Sequence, residues 1–139
     1  SKPGRLDEDE FKAIQAHPEI GSRILKDIPQ MDGILPAVMH HHERWDGRGY
    51  PHGIEGEDIP LIARIVSIAD AFDAMSSTRT YRSARPRHEV LAEMNRCRGT
   101  QFDPDLVGPF LSIDFTEYDR MIHGALHAFE ADREGRAAA

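Results

Sequence analysis

Apolar residues recur at helical spacing along almost the whole chain, and no strict alternation of apolar and polar residues lasts long enough to predict a strand. Proline and glycine residues divide the pattern into segments of helical length. The spacing therefore predicts an all-α domain of about six or seven helices with no substantial sheet. The predicted helices cover residues 8–16, 18–26, 32–43, 60–76, 86–98 and 104–111, and an additional C-terminal helix lies within residues 113–131.

The same spacing predicts which side chains face the core. In the first two helices these are Phe11 and Ile14, followed by Ile20, Ile24 and Leu25. In the helix over residues 60–76, a row of four apolar side chains ends in a carboxylate. That row consists of Ile62, Ile65, Val66, Ala69 and Asp70. The sequence thus predicts a carboxylate aimed at the core, where it requires a cationic or metal partner.

The chain divides into three predicted segments, and its charge and composition argue against two classes of binding protein. Residues 1–112 form the main predicted unit, residues 113–131 an amphipathic helix for docking or dimerisation, and residues 132–139 a disordered tail. The net charge of −7 argues against DNA binding, and no apolar run approaches the roughly 18 residues of a membrane span. The single cysteine, Cys97, excludes an intrachain disulfide and fits a reducing compartment. These features predict a cytoplasmic protein that binds neither DNA nor a membrane.

Histidines and a carboxylate lie on separate predicted helices. His17 stands before a proline at a helix boundary, His41 and His42 end another helix, and Asp70 faces inward from a fourth. One histidine on an apolar face is usually a hydrogen-bonded core residue, but here three elements converge. Because no cysteine belongs to the group, nitrogen and oxygen ligands are expected, which favours iron, manganese, zinc or nickel. The sequence predicts a metal site where these elements meet.

The adjacent histidines bear on the number of ions. On a regular helix His41 and His42 point about 100° apart and cannot easily hold the same ion. Two ions roughly 3.5 to 4 Å apart would resolve this and could act together on a phosphate. Helix geometry therefore favours a dinuclear hydrolase over a single structural ion. His40 and His52 are interpreted as surface residues or as support behind the ligands.

Four motifs give the chain a family resemblance. They are HPEIG at residues 17–21, HHERWDGRGYP at residues 41–51, ADAFDA at residues 69–74 and RTYR at residues 79–82. In order and spacing they closely resemble the signature of the HD-GYP family, bacterial metal-dependent phosphohydrolases that degrade the second messenger cyclic di-GMP. The resemblance implies the helical bundle of the HD superfamily.

The resemblance also implies a role for each matching position. The metal ligands would be His17, His41, His42 and Asp70, holding two or three divalent ions with iron or manganese favoured. Contacts to the substrate or its phosphates would come from Tyr50, Asp73, Arg79 and Arg82. Loop support would come from Asp46, Gly47, Gly49 and Pro51. For Asp73, a surface acid beside arginines remains an open alternative.

One part of the family pattern is missing. In the family a His-Asp pair and a lysine precede the segment that resembles residues 1–11, and this chain begins after that point. The resemblance implies that the complete domain hydrolyses cyclic di-GMP to linear dinucleotide or GMP, whereas the 139 residues alone are expected to be inactive. It also implies diguanylate cyclase domains and an upstream regulatory domain as partners, and the predicted C-terminal helix leaves a homodimer open. Two alternatives stay open: a non-catalytic module that binds cyclic dinucleotide or diguanylate cyclase, and a hydrolase of other phosphoesters.

Overall fold

The computed structural model describes residues 8–77 and 85–121. Within these residues the chain is helical, and one isolated β-bridge between Arg98 and Phe102 is the sole extended pairing. The predicted all-α class is confirmed. Short 3₁₀ helices cover Pro29–Met31 and Gly56–Asp58. The α-helices are α1 (Glu8–Gln15), α2 (His17–Leu25), α3 (Leu35–His40), α4 (Leu61–Ser76), α5 (Arg87–Arg96) and α6 (Pro104–Leu111).

The main core lies between α4, α5 and α6. Phe115 and Tyr118 pack against it from the segment after α6, and the Phe115 ring stacks on Phe72 at a centroid distance of 4.7 Å. The start of the predicted C-terminal helix therefore belongs to this core. Each fully buried side chain of this size contributes roughly 1.5–3 kcal/mol. The buried cluster consists of Ile68, Phe72, Val90, Met94, Phe102 and Val107.

Asp103 joins α6 to α4. Its Oδ1 accepts a hydrogen bond from the backbone N–H of Asp105 at 2.8 Å and so caps the N-terminus of α6. Its Oδ2 accepts a hydrogen bond from Nη1 of Arg64 at 2.7 Å, and Asp103 is only 4% exposed. One buried carboxylate thus fixes the position of both helices.

Of the residues predicted to face inward from α1 and α2, Leu25 is half-buried, and the prediction for the other four is wrong. Phe11, Ile14, Ile20 and Ile24 are all exposed, and Ile24 is 68% exposed. The only buried residue of α2 is Pro18. Helical spacing correctly predicted that α1 and α2 are helices, but in the described structure their apolar faces lie outside the core.

The predicted inward row of α4 is also wrong in part. Ile65, Ala69 and Asp70 are exposed, whereas the buried residues of α4 are Ala63, Ile68 and Phe72. Apolar residues occupy nearly every side of this helix. Periodicity alone could not decide which side faces α5 and α6.

Helix α3 is shorter than predicted. It begins only at Leu35, because a 3₁₀ helix and a turn occupy the preceding residues, and it ends at His40.

Gly99, with φ of 73°, follows α5 in the left-handed conformation expected of a glycine at a helix end. The predictions for Arg79, Arg82 and the disordered tail at 132–139 fall outside the described residues. In the described part of the chain, no helix has the length and apolar character needed to cross a membrane.

Candidate metal centre

Three histidines from two helices form a compact cluster. His17 is the first residue of α2, and His41 and His42 follow the last residue of α3. The ring centroids are 4.1 Å apart for His41 and His42, 4.9 Å for His17 and His42, and 5.7 Å for His17 and His41. One nitrogen from each ring lies within 4.8 Å of the other two. The fold therefore brings three of the four predicted ligands together.

The end of α3 explains how two adjacent histidines can converge. The prediction of divergent side chains assumed that residues 41 and 42 continue a regular helix, but α3 ends at His40. Beyond that residue the backbone turns, and the rings of His41 and His42 are tilted by only 41°. Residues 41 and 42 therefore do not form the regular helix that the prediction of divergent histidines assumed, and the number of ions stays a prediction.

Backbone hydrogen bonds fix the orientation of two of these rings. Nδ1 of His17 donates to the carbonyl oxygen of Ile14 at 2.6 Å, and Nδ1 of His41 donates to the carbonyls of Ala37 and Val38 at 3.0 Å each. A carbonyl oxygen only accepts, so Nδ1 carries the proton in both rings. The lone pair of each ring is then on Nε2. This is the arrangement by which proteins orient metal-binding imidazoles.

The distance between two nitrogens tests whether the cluster fits an ion. Nε2 of His42 lies 3.2 Å from Nε2 of His17. Two nitrogens bound to the same ion at roughly 2.0–2.1 Å in tetrahedral geometry are about 3.4 Å apart, and slightly closer in octahedral geometry. The observed separation matches this requirement, so His17 and His42 fit as ligands of one ion.

The environment of His42 keeps its ring neutral. The pKa of His42 is lowered to about 4, first by burial and then by the neighbouring rings of His41 and His17, while the charge of Asp70 acts in the opposite direction. Neutral imidazole is the form that binds a metal. At neutral pH His42 therefore has no proton to release before it binds an ion.

Asp70 lies beside the cluster but outside it. It is solvent-exposed, so the prediction of a buried carboxylate is wrong. The negative charge of its carboxylate acts to raise the pKa of His42 and that of Tyr50. It borders an open cavity of about 460 Å³ between α3 and α4. The cavity wall is formed by Ile34, Ala37, Val38, His41, Ile62, Val66 and Asp70.

Tyr50 covers one side of the cluster. Its ring stacks on His42 at a centroid distance of 4.8 Å and meets His17 edge-on at 6.5 Å. The backbone N–H of Tyr50 donates to the carbonyl of His42 at 3.2 Å. Burial, followed by the charge of Asp70, raises the pKa of the Tyr50 phenol. The phenol is therefore protonated at neutral pH and borders the candidate ligands.

The loop that carries Tyr50 is anchored at its N-terminal end, over residues 44–46. Arg44 donates two hydrogen bonds to the carboxylate of Asp46, at 2.9 and 2.7 Å, and this lowers the pKa of Asp46. The backbone N–H groups of Trp45 and Asp46 donate to the carbonyls of Gln101 and Thr100. These contacts support the predicted role of Asp46 in holding the loop.

Gly49 lies where the loop passes closest to the end of α3. A Cβ at this position would lie 2.4 Å from the backbone nitrogen of Arg44 and 2.5 Å from Cα of Glu43. Gly47 has φ of 72°, a conformation that other residues rarely adopt, and the Tyr50–Pro51 peptide is cis. The close approach requires glycine at position 49, which supports the predicted loop role of these residues.

Glu43 is a residue that the sequence analysis missed. It is 3% exposed, and its two carboxylate oxygens accept hydrogen bonds from the backbone N–H groups of His52 at 2.7 Å and Gly53 at 3.0 Å. The available signal was a carboxylate one position after the paired histidines. Helical periodicity could not predict that Glu43 is buried, because Glu43 lies beyond the end of α3 and the turn there directs its side chain inward.

The predicted substrate contacts beyond Tyr50 have other partners or are not described. Asp73 accepts hydrogen bonds from the hydroxyls of Ser77 and Tyr118, both at 3.2 Å. Arg79 and Arg82 lie outside the described residues. Arg87, which follows them in the sequence, forms a salt bridge with Asp119 and lies against the rings of Phe72 and Phe115 in the core. Arg87 is thus occupied by the protein itself.

Comparison with known proteins gives this geometry a family context. A family model described as an HD domain matches residues 1–106. The chain belongs to the HD domain family. This membership, together with relatives that are cyclic di-GMP phosphodiesterases, confirms the superfamily that the motifs indicated.

Several relatives of the HD chain are enzymes that act on cyclic dinucleotides. This chain is 46% identical over 113 residues to a cyclic di-GMP phosphodiesterase response regulator of Xanthomonas campestris, and the match covers 79% of this chain and 30% of that protein. It is 39% identical over 115 residues to a cyclic di-GMP phosphodiesterase of Thermotoga maritima, covering 81% and 31%. A 3′3′-cGAMP-specific phosphodiesterase of Vibrio cholerae is 38% identical over 127 residues, covering 89% and 28%.

A solved structure supports the HD fold directly. The crystal structure of a cyclic GMP-AMP specific phosphodiesterase of Vibrio cholerae superimposes with a TM-score of 0.60 and 27% identity. The match covers 74% of this chain and 24% of that one. The chain thus spans between about a quarter and a third of the length of the relatives that it matches.

Proposed function

We propose that this HD chain is the GYP-bearing part of a metal-dependent phosphodiesterase that hydrolyses cyclic di-GMP to linear dinucleotide or to GMP. The observation that carries the proposal is the cluster of His17, His41 and His42, with two Nε2 atoms 3.2 Å apart and the ring of Tyr50 stacked on His42. Relatives at 38–46% identity that are named as cyclic-dinucleotide phosphodiesterases support the reaction class.

The metal ligands in this proposal are the three clustered histidines together with Asp70. The nitrogen and oxygen donors suit two or three divalent ions, with iron or manganese favoured. A bound divalent metal supplies a nucleophile from water at neutral pH and neutralises charge on the phosphate. The residues of the chain orient the donors: Ile14 fixes the ring of His17, and Ala37 fixes that of His41.

The substrate side of the proposal rests on Tyr50, Asp73, Arg79 and Arg82. Tyr50 borders the histidine cluster, so a ligand bound there contacts its ring. The arginines are suited to bidentate hydrogen bonds with phosphate. For Asp73, its hydrogen bonds to Ser77 and Tyr118 favour the alternative of a structural acid at the end of α4.

The relatives suggest two substrates, so the test compares both. Hydrolysis of cyclic di-GMP and of 3′3′-cGAMP is followed by chromatography with the complete gene product that carries this chain, loaded with Mn²⁺ or Fe²⁺. We expect cleavage of cyclic di-GMP, a loss of at least about 100-fold in His42→Asn, and no change in His88→Asn, an exposed residue of α5. If the protein instead cleaves 3′3′-cGAMP in preference, the proposed substrate is wrong, but the proposed reaction, hydrolysis of a cyclic dinucleotide, still holds.

A second candidate function is a module that binds cyclic dinucleotide or a diguanylate cyclase domain without hydrolysing anything. The observation in its favour is that Asp70, one of the four predicted ligands, is exposed and does not belong to the histidine cluster. We also propose that the 139 residues alone are inactive. Tight binding of cyclic di-GMP by the metal-loaded gene product, with no turnover, would favour the binding module.

The family resemblance also supports a proposal for the cellular location, the regulation and the partners of this protein. We expect it to act in the cytoplasm, under the control of a regulatory domain upstream, and either as a monomer or as a homodimer. Diguanylate cyclase domains are the proposed protein partners. Co-purification of the complete gene product with a diguanylate cyclase, compared with an Arg48→Ala variant of the exposed loop position, tests that partner.

A further inference from the structure

A second group of metal-binding side chains lies behind the histidine cluster and shares no residue with it. His40 is the last residue of α3, Glu43 follows in the turn, and His52 lies directly after the Tyr50–Pro51 peptide. One ring nitrogen of each histidine and a carboxylate oxygen of Glu43 lie within 4.8 Å of one another. The two imidazole rings are 5.3 Å apart. Nothing in the proposed hydrolysis requires this group.

Glu43 is the fixed member of the group. It is almost completely buried, and each of its oxygens accepts one backbone hydrogen bond, from His52 or from Gly53. A carboxylate offers about four acceptor positions, so two remain for another partner. The two backbone bonds hold the carboxylate in place and leave it able to bind a cation.

His40 supplies an independent indication. Its Nδ1 is buried and has no hydrogen-bond partner among the described residues. The nearest carboxylate oxygen, Oε1 of Glu43, lies 3.8 Å away, which is too long for a hydrogen bond. Burial of a polar nitrogen without a partner is unfavourable and rare. An ion between Nδ1 and Oε1 would satisfy this nitrogen.

We propose that His40, Glu43 and His52 form a separate mononuclear site for a divalent transition-metal ion such as zinc. Two imidazole nitrogens and one carboxylate oxygen form an established zinc ligand set, with a fourth position open to water. Ligand atoms around a tetrahedral ion lie about 3.4 Å apart, so His40 and Glu43 approach by a few tenths of an ångström. His52 is exposed and can reach the ion by a rotamer change.

An ion at this site would connect the loop to the end of α3. His52 lies two positions after Tyr50, and the ring of Tyr50 stacks on His42. Binding at His40 and His52 would therefore restrict the movement of the Tyr50 side of the loop relative to the first cluster. The role is to hold the loop, and it does not depend on whether the first cluster catalyses hydrolysis.

The test measures zinc bound per chain by equilibrium dialysis and elemental analysis at neutral pH. The variants are His52→Gln for the second site, His17→Gln for the first cluster, the double variant, and His88→Gln as a control on an exposed face of α5. His52 is exposed, so circular dichroism and the unfolding midpoint in EDTA should match those of the wild type. These two readings separate a folding defect from lost binding.

We expect His52→Gln to lose about one zinc equivalent, with affinity for that ion reduced by at least 10–100-fold. His17→Gln should retain that equivalent, His88→Gln should bind as the wild type does, and the double variant should show the sum of the two single losses. Zinc should raise the unfolding midpoint less in His52→Gln than in the control. The proposal is overturned if the wild type binds no zinc, if His52→Gln binds as much as the control, or if His17→Gln and His52→Gln remove the same ion.

Discussion

Nε2 of His17 and Nε2 of His42 lie 3.2 Å apart, although 25 positions separate the residues in sequence. The two residues belong to different parts of the chain, since His17 begins α2 and His42 follows the end of α3, so a short turn of the backbone cannot explain their proximity. The packing of α2 against α3 creates this distance. It is the spacing that two ligands of one ion require.

Removing one imidazole from this pair should weaken metal binding strongly. We expect His17→Asn to reduce the affinity for Mn²⁺ by at least about 100-fold, since loss of supporting groups alone costs 10–100-fold. Calorimetric titration with Mn²⁺ measures the change, and His88→Asn serves as the control. Equal Mn²⁺ affinity in the two variants would show that His17 is not a ligand.

The low pKa of His42 predicts how stability depends on pH in the metal-free chain. The pKa of His42 is near 6.5 when unfolded and about 4 when folded, so between these values the unfolded chain binds more protons. The free energy of unfolding should therefore fall as the pH decreases from about 6.5 to 4. Above pH 6.5 this group contributes no pH dependence.

Denaturant unfolding in EDTA at several pH values measures that effect. In His42→Asn the slope between pH 4 and 6.5 should be smaller than in the wild type, while His88→Asn should keep the wild-type slope. Identical slopes in all three proteins would contradict the assignment of a neutral, depressed imidazole to position 42.

Gly49 should tolerate no side chain. A Cβ would lie within 2.4–2.6 Å of backbone atoms of three residues, so Gly49→Ala must displace the loop. We expect a loss of about 1–3 kcal/mol in the free energy of unfolding, in the range of overpacked sites. The control is Gly108→Ala in α6, where a Cβ meets nothing within 4 Å, and which should be neutral or slightly stabilising. If Gly49→Ala were as stable as Gly108→Ala, the close approach would be absent in solution.

The buried pair of Arg64 and Asp103 should matter far more than an exposed one. Arg64→Met leaves the carboxylate of Asp103 buried without its cation, and we expect a loss of about 3–5 kcal/mol. Arg96→Met breaks the exposed pair between Arg96 and Glu93, in which the arginine side chain is 71% exposed, and should cost far less stability than Arg64→Met. Chemical denaturation compares the two. Similar losses in both variants would argue against the joining role of Asp103.

Much of the fold could be predicted because helical spacing is a local signal. The helices around Ile24 and Ile68 were predicted from periodicity, and glycine at position 99 correctly marked the end of α5. The spacing did not reveal which side of α4 is buried. That choice depends on α5 and α6, whose contacts with Phe72 are distant in sequence.

The candidate site was predicted less evenly. The convergence of His17 with His41 and His42 was expected because all three stand at helix boundaries. The expectation that the side chains of His41 and His42 diverge assumed a regular helix, whereas α3 ends at His40 and the loop packs against that end through Gly49 and Glu43. Turns of this kind arise from contacts that periodicity does not encode.

We propose that His17, His41 and His42 hold a metal ion through their Nε2 atoms. Anomalous diffraction at the manganese edge can locate this ion in crystals of the chain grown with Mn²⁺. We expect a peak about 2.0–2.3 Å from Nε2 of both His17 and His42. An ordered structure from such crystals with no anomalous peak at these nitrogens would contradict metal binding by the histidine cluster.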